Sequence, residues 1–488
     1  MSVKKKALSA ALWSVTGNGF SQIFNFVVFI LLAKLLEVEE FGLVSFSLII
    51  IEFGSVFLSV GINQNLIQRH DWDDSFASTA FWLMLGVSFF STCFLIFIVA
   101  PIIHFYYSAL GATLVAVLSV IPFLNGLKLT QTAQLQREFE NKRLTIIESL
   151  SIVVGGILSI ILATAEYGAW ALVIGRVVQS LTSTIAIWTI SDFKPCFIFR
   201  IKYIKEIKEF GIPLLNISLL TFFAGKSVNL IIGTVLGPIA FALFNVAMRP
   251  FLAIQALTMQ QLNKISLAAL SRVETDKTAH TYYRVVALTA FVVLPIYMGF
   301  GAISDSFVEG LLGSKWQDSI QLMYLLPFSA PAFVFYWYLP TILISRGFTK
   351  SALRINIIVC VTNIVFSSIA VYWGVNATIF AFILAAYVTV PIRFRIVNSH
   401  ISLSLWKTLL AVFPFVAASI FMFFCVLWAD RTDIFLAEIR WLELLPLVIV
   451  GGISYIAPLG LFFRKSFLDV VNELIGIKDP ARKVTNNE

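Results

Sequence analysis

The sequence predicts an all-α integral membrane protein of about 14 transmembrane helices, arranged as two six-helix bundles facing a central cavity plus two C-terminal helices. Three observations predict this class. The 488 residues are 59% hydrophobic and only 13% charged, with a mean hydropathy of +0.90; a soluble globular chain runs roughly 45–50% apolar and about 25% charged. Apolar runs of the ~20 residues that a bilayer-spanning helix needs recur almost end to end. Basic residues gather in alternate connecting segments, as an alternating topology requires. Together these features exclude a soluble enzyme, a disordered chain and a secreted disulfide scaffold.

The first span, near 11–34, follows Lys4, Lys5 and Lys6. Its apolar part is too long for a signal peptide and has no convincing small-residue cleavage site, so it is expected to remain as an uncleaved span. Further spans are expected near 41–62, 77–103, 109–130, 146–165 and 168–190. A second set falls near 210–235, 238–263, 282–303, 320–344, 352–373 and 376–396, and two more near 406–429 and 441–463. All far exceed a barrel strand of about 9–11 residues, so they are helices.

With a cytoplasmic N-terminus, 28 of the 35 basic residues lie on inner segments and only Lys34, Lys315, Arg431 and Arg440 on outer ones. A span missed or invented in the middle would destroy this bias. Both termini are therefore expected in the cytoplasm. The net charge of +8 is explained by topology, without a nucleic-acid partner. Trp170, Trp316, Trp373, Trp428 and Trp441 sit near outer boundaries, where amphipathic rings prefer the headgroup level.

The chain divides into a first bundle (1–193), a basic linker (194–209), a second bundle (210–400), two additional helices (401–463) and a cytoplasmic tail (464–488). The segment from Lys194 to Phe210 sets Ile201, Ile204 and Ile207 beside Lys202, Lys205 and Lys208, the pattern of a basic amphipathic helix on the membrane surface. An internal repeat supports the division: Phe41-Gly42-Leu43-Val44-Ser45-Phe46 aligns with Phe241-Ala242-Leu243-Phe244-Asn245-Val246 at a shift of 200 residues. An even number of spans per half relates the halves by an axis along the membrane normal, the plan of a transporter that rocks about a central site.

Charges at bilayer depth cost about 2.5–3.5 kcal/mol each on insertion scales. Arg176, Lys226 and Arg249 fall within spans, against Glu52 as the clear embedded acid and Glu148 near a cytoplasmic end. This surplus of positive charge calls for an anionic ligand, with snorkelling or pairing to Glu52 as the alternative. In the first span Ser14, Asn18, Gln22 and Asn25 share a helix face, which suits either a cavity wall or interhelical hydrogen bonding. Asn216 and Asn229 flank Lys226 in the seventh span and favour the cavity lining. Ser151, Gly155 and Ser159 suit close helix packing. Pro213, Pro250, Pro295, Pro327, Pro331, Pro340, Pro391, Pro414 and Pro446 lie within or beside spans, and most are expected to be accommodated. Gly225-Lys226-Ser227 is no phosphate loop, because Leu220 stands where the first glycine belongs. Cys93, Cys360 and Cys425 lie in apolar runs, Cys196 follows a basic segment, and His70, His104, His280 and His400 are scattered, so neither a disulfide framework nor a metal site is expected. No cofactor is implied.

Four stretches resemble the Wzx-type polysaccharide flippases (O-antigen and colanic-acid exporters) of the MATE-like, or MOP, exporter superfamily. They are Glu40-Phe41-Gly42-Leu43-Val44; Gly61-Ile62-Asn63-Gln64-Asn65-Leu66-Ile67-Gln68-Arg69; Leu135-Gln136-Arg137-Glu138-Phe139 with Lys142-Arg143-Leu144; and Gly168-Ala169-Trp170-Ala171-Leu172-Val173. The resemblance implies a transporter that is not an enzyme and that moves undecaprenyl-pyrophosphate-linked oligosaccharide across the bacterial plasma (inner) membrane. A polymerase and a chain-length regulator are candidate partners, and a monomeric transport unit is expected because both halves of the cavity lie in one chain. On that reading Arg176, Lys226 and Arg249 carry the pyrophosphate, Asn18, Gln22, Asn25 and Asn229 line the cavity, and Glu52 couples to an ion gradient. The rivals are a MATE-like cation-coupled multidrug exporter, which would need more embedded acids, and a membrane polysaccharide polymerase, which would need larger outer loops.

Overall fold

A computed structural model describes the chain except for residues 1–2, 59–61, 70–71, 261, 263–274, 433–442 and 476–488. The described residues are overwhelmingly helical, and twelve helices among them are long and apolar enough to cross a membrane. Two of the expected fourteen spans are missing from that twelve for definable reasons. The helix Gly211–Leu257 enters as one 47-residue stretch, although Gly237 interrupts it with φ 83° and ψ −176°. The break lies between the expected spans at 210–235 and 238–263. The helix Val38–Val56 is as apolar as its neighbours but carries three acids, Glu39, Glu40 and Glu52, in its 19 residues, and this charge sets it apart from the twelve.

The chain separates into two compact units, Met1–Val246 and Ala247–Glu488. In the first, α1 (Val3–Leu35), α2 (Val38–Val56) and the short α3 (Ile62–Gln68) precede a 33-residue helical stretch, Asp74–Tyr106. That stretch comprises α4 (Asp74–Phe94), a π turn at Leu95–Val99 and α5 (Ala100–Tyr106). Then follow α6 (Ala109–Leu118), α7 (Val120–Arg137), α8 (Asn141–Thr164), α9 (Ala169–Ile190) and α10 (Ile201–Leu257), whose end belongs to the second unit. The core around Leu43, Val44, Ile51, Leu95, Leu114, Leu118 and Val173 draws on α2, α5 to α6 and α9.

Small residues decide how closely these helices approach, since lipid tails give no hydrophobic drive for helix association. A Cβ on Gly155 of α8 would lie 2.6 Å from the Gly175 carbonyl of α9, and one on Gly175 would lie 1.8 Å from Ser159 Oγ. The packing role of Ser151, Gly155 and Ser159 is thus realised. The two repeat segments also meet: a Cβ on Gly42 would lie 2.0 Å from the Pro238 carbonyl oxygen and 3.2 Å from the Cβ of Ala242. Phe46 and Phe241 pack edge to face at 5.6 Å. Matched positions of the repeat therefore face one another, with glycine where the backbones nearly touch.

In the second unit Thr275–Ala302, Thr349–Ala370, Val375–Asn398, Leu405–Arg431 and Leu444–Phe462 are long helices, and Arg464–Ile475 is a short one. The span expected at 320–344 is assembled from pieces: Asp318–Leu325, a 3-10 turn at Leu326–Ser329, Ala330–Tyr336 and Leu339–Ser345. Pro327, Pro331 and Pro340 each stand in the first turn of a new piece, where the missing N–H costs nothing. Pro295, Pro391, Pro414 and Pro458 remain inside helices. Trp441 lies outside the described residues.

Gly42→Val puts a side chain against backbone that cannot yield, and overpacking of this kind costs about 1–3 kcal/mol. The variant is expected to melt earlier in detergent than the wild type, whereas Gly452→Ala, with open space around it, leaves the melting temperature unchanged.

Candidate functional site

The embedded charges are placed first by helix length. Lys226 stands 11 residues before Gly237 and Glu52 14 residues after Val38. At 1.5 Å per residue these are about 16 and 21 Å along the helices, well inside a hydrocarbon core of about 30 Å. At that depth the two side chains pair, Lys226 Nζ lying 2.9 Å from Glu52 Oε2. Their side chains are 34% and 50% exposed, so the pair is open on one side rather than sealed in packing. Phe53, next to Glu52 in sequence, meets Phe222 and Phe223 at tilted angles, with the three ring centroids 5.4–5.9 Å apart. The expected alternative, Glu52 partnering one of the bases, is what the structure contains.

Arg176 of α9 is half-buried and donates from Nη1 to Gln179 Oε1 at 3.1 Å. Arg249 is also half-buried but belongs to the second unit, past the Gly237 break. In α1, Asn18 is exposed and Gln22 and Asn25 are partly buried, as is Asn229 in α10; the Ser14 side chain lies outside the described ones. Gly17, Phe24 and Val28 face α8, through close approaches to Thr145 and Gly156, and Ser21 Oγ meets Ser149 Oγ at 3.4 Å. One residue further on is about 100° further round a helix. The row of Asn18, Gln22 and Asn25 is therefore turned away from the α1–α8 contact.

Two cations within helices escaped the sequence reading, Lys128 half-buried and Arg393 buried. Lys128, counted there on an inner loop, lies within α7, because that helix continues through a glutamine-rich stretch to Arg137. Its Nζ donates to Ser183 Oγ at 2.5 Å, and Glu148 of α8 is near enough to act on its charge. Arg393, likewise assigned to a loop, is 3% exposed, with its guanidinium carbon 3.4 Å from the Tyr336 ring centroid. In both cases the signal was polar neighbours that resemble a loop while keeping helical spacing.

The basic linker is partly corrected. From Ser191 to Arg200 the chain is not helical, and helix begins at Ile201. Pro195 interrupts helical bonding, and side chains of α4 and α7 satisfy the extended backbone. Phe193 N–H donates to Gln134 Oε1, Cys196 N–H to Ser78 Oγ and Arg200 N–H to Thr79 Oγ1, while Trp82 Nε1–H donates to the Cys196 carbonyl. The helix that follows docks one face: Ile207 is buried with Ile62, Leu66 and Phe76. Glu206 pairs with Arg69 at 2.8 Å, and Tyr203 donates its hydroxyl to Asp73 Oδ2 at 2.8 Å. Burial pushes the Asp73 carboxyl up, but the bonds from Tyr203 and the Phe76 and Ser75 amides, with the Arg69 charge, outweigh it and hold the group below its ordinary value.

The four stretches that carry the family resemblance meet in pairs in this unit. Asn63 Nδ2 donates to Gln136 Oε1 at 3.0 Å, and Arg137 Nη1 donates to the carbonyls of Leu66 and Arg69 at 3.1 and 2.8 Å. Elsewhere Gly168, held at φ 53°, leaves the Glu40 carboxylate a place that a Cβ would fill at 2.2 Å.

Among the described residues the chain is helical, with twelve helices able to cross a membrane and a charged pair at span depth, the architecture of a multi-pass membrane protein. Residues 31–321 match the family described as "Polysaccharide biosynthesis protein", and the chain belongs to it. It is 22% identical over 335 residues to the lipopolysaccharide biosynthesis protein WzxC of Escherichia coli, covering 67% of each chain. To the teichuronic acid biosynthesis protein TuaB of Bacillus subtilis it is 25% identical over 337 residues, covering 67% of this chain and 68% of that one. Among solved structures the lipid II flippase MurJ in an inward closed conformation superposes with a TM-score of 0.73 at 16% identity, over 93% of this chain and 99% of that one. An inward-facing multidrug resistance MATE family transporter of the MOP superfamily reaches 0.56 at 18% identity, over 78% and 95%. These likenesses establish the fold of the MOP exporters for this chain.

A group whose folded-state pKa is lowered stabilises above its unfolded value and loses that contribution as pH falls through the folded one. The Asp73 contacts are thus expected to persist down to about pH 4 and to loosen below it. Amide exchange across 62–76 and 201–210 should rise there in the wild type, and should already be raised at neutral pH in Asp73→Ala.

Proposed function

We propose that this chain flips undecaprenyl-pyrophosphate-linked oligosaccharide repeat units across the bacterial plasma membrane by alternating access, for surface polysaccharide biosynthesis. Family membership supports a role in polysaccharide biosynthesis. The relatives' names add transport to it: the succinoglycan biosynthesis transport protein ExoT of Rhizobium meliloti is 21% identical over 321 residues. On this reading both termini are cytoplasmic, as the basic-residue bias requires, and the transport unit is one chain that hands its product to a polymerase and a chain-length regulator.

The observation that carries the proposal is the open Lys226–Glu52 pair at 2.9 Å. A lysine at this depth is affordable only with a counter-charge, and the carboxylate supplies one that a ligand can replace. A pyrophosphate offers several anionic oxygens to an ammonium, and such charge-assisted bonds are short and strong. Exchange of Glu52 for pyrophosphate on Lys226 keeps the cation paired in both states, and the displaced Glu52 carboxylate takes up a proton so that neither state holds a bare charge in hydrocarbon. Loss of that proton when the cargo leaves restores the carboxylate and resets the pair, which links the cycle to a proton gradient. Arg176 adds positive charge on α9 of the same unit, and Arg249 does so in the second unit. Asn18, Gln22, Asn25 and Asn229 supply donors and acceptors suited to sugar hydroxyls. A MATE-like drug exporter would instead present unneutralised acid to a cation, and here the embedded acid is already paired.

The test is transbilayer movement of a labelled undecaprenyl-pyrophosphate oligosaccharide in proteoliposomes. A charged hydrogen bond contributes about 1.5–3 kcal/mol, so Lys226→Ala should slow movement roughly ten- to hundredfold. Arg176→Ala and Arg249→Ala should slow it as well, while Glu52→Gln should keep cargo movement and lose its pH dependence. Unchanged rates in all the basic variants would overturn the site assignment. Expulsion of a cationic dye with no movement of the lipid-linked sugar would establish the drug-exporter reading instead.

A further inference from the structure

The first turns of α10 carry a surface apart from the charged pair at Lys226. One face of Ile201–Ile212 is committed to the first unit through Tyr203, Glu206 and Ile207. The opposite face carries Ile201, Lys205, Lys208 and Ile212, spaced four, three and four, which is one stripe on a helix. With Ile204 and Glu209 these residues line an open groove of about 360 Å³. Ile201 is 79% and Ile212 53% exposed, and Phe197 just ahead of them is 92% exposed. A patch of isoleucine and phenylalanine left open beside lysines needs an amphipathic cover.

Its depth says which cover. Arg200 N–H is bonded to Thr79 Oγ1, and Thr79 lies 27 residues from Tyr106 along one helical stretch. That is about 40 Å, the thickness of a bilayer with its headgroups. Trp82 stacks on Phe197 at 4.9 Å and Trp188 donates Nε1–H to the Leu127 carbonyl, two indoles placed as interfacial anchors are. Charge completes the description. Arg200, Lys202, Lys205 and Lys208 stand against Glu206 and Glu209, and Glu206 is already neutralised by Arg69.

We propose that this groove binds one anionic phospholipid, its phosphate between Lys205 and Lys208 and an acyl chain along Ile201, Ile204 and Ile212. An apolar floor with a cationic rim at headgroup depth fits a lipid that is negative at the head and apolar below it, and disfavours a zwitterionic one. The helix runs from Ile201 to the Gly237 break without another non-helical residue. The bound lipid therefore grips the same rod that carries Lys226, 18 residues beyond Lys208. Only the assignment to the cytoplasmic leaflet rests on the orientation proposed above.

Hydrogen–deuterium exchange of residues 197–212 in the full chain tests this, in nanodiscs of phosphatidylcholine alone and of phosphatidylcholine mixed with phosphatidylglycerol. Phosphatidylglycerol should slow exchange several-fold in the wild type, and high salt should remove that protection. Lys205→Gln/Lys208→Gln should exchange equally in both lipids, with residues 62–76 unchanged because the packed face is untouched. Equal exchange of the wild type in both lipids would overturn the proposal. So would salt-insensitive protection, or phosphatidylglycerol-dependent protection retained in the double variant. The readout involves no cargo, so it stands or falls separately from the flippase assay.

Discussion

Hydrocarbon does not solvate a polar group, and the rest of this structure follows from that constraint. A backbone in the bilayer must satisfy its own hydrogen bonds, which is why an apolar chain of this length becomes a set of long helices. The same rule governs side chains. Lys226 has Glu52, Lys128 has Ser183 and the nearby Glu148, and Arg393 has the face of Tyr336. Each cation at depth is compensated by a different chemistry: a full counter-charge, a hydroxyl with a carboxylate at longer range, or a π face. Of these three, Lys226 is the one whose partner is a carboxylate within ion-pair distance, and the Glu52 side chain is 50% exposed.

Close helix approach is the second consequence. With lipid as apolar as leucine, contact between helices depends on surface fit and small residues. Gly155, Gly175 and Gly42 stand where a side chain would meet backbone or a hydroxyl. At Gly42 and Ala242 the internal repeat faces itself, so this crossing joins matched pieces of the two halves of the sequence inside one compact unit. The stretches that mark the family are explained in similar terms. Asn63 with Gln136, Arg137 with the carbonyls at the end of α3, and Glu40 with Gly168 are contacts in which each stretch supplies what another needs. In this chain these contacts are packing at the ends of the helices.

The helix α10 ties these themes together. Its start is held against α3 and α4 by Tyr203, Glu206 and Ile207, its middle carries Lys226, and at Gly237 it breaks before the second copy of the repeat. A single rod thus connects the membrane surface to the charged pair at depth. Substrate or lipid that alters one end acts on an element whose other end is already engaged.

Hydropathy and charge pattern determined the class, the position of nearly every span and the break between 235 and 238, because long apolar runs and basic loops act locally and need no partner to be recognised. Tertiary structure decided which charges meet. No spacing in the sequence relates residue 52 to residue 226, and their 2.9 Å contact exists only because α2 and α10 lie side by side. It also decided that Lys128 is half-buried and Arg393 buried although their neighbourhoods resemble loops, and that the linker helix begins at Ile201 rather than at Lys194. Burial and pairing are properties of neighbours brought together by folding, and a one-dimensional pattern carries them only where helical period and hydrophobic length coincide.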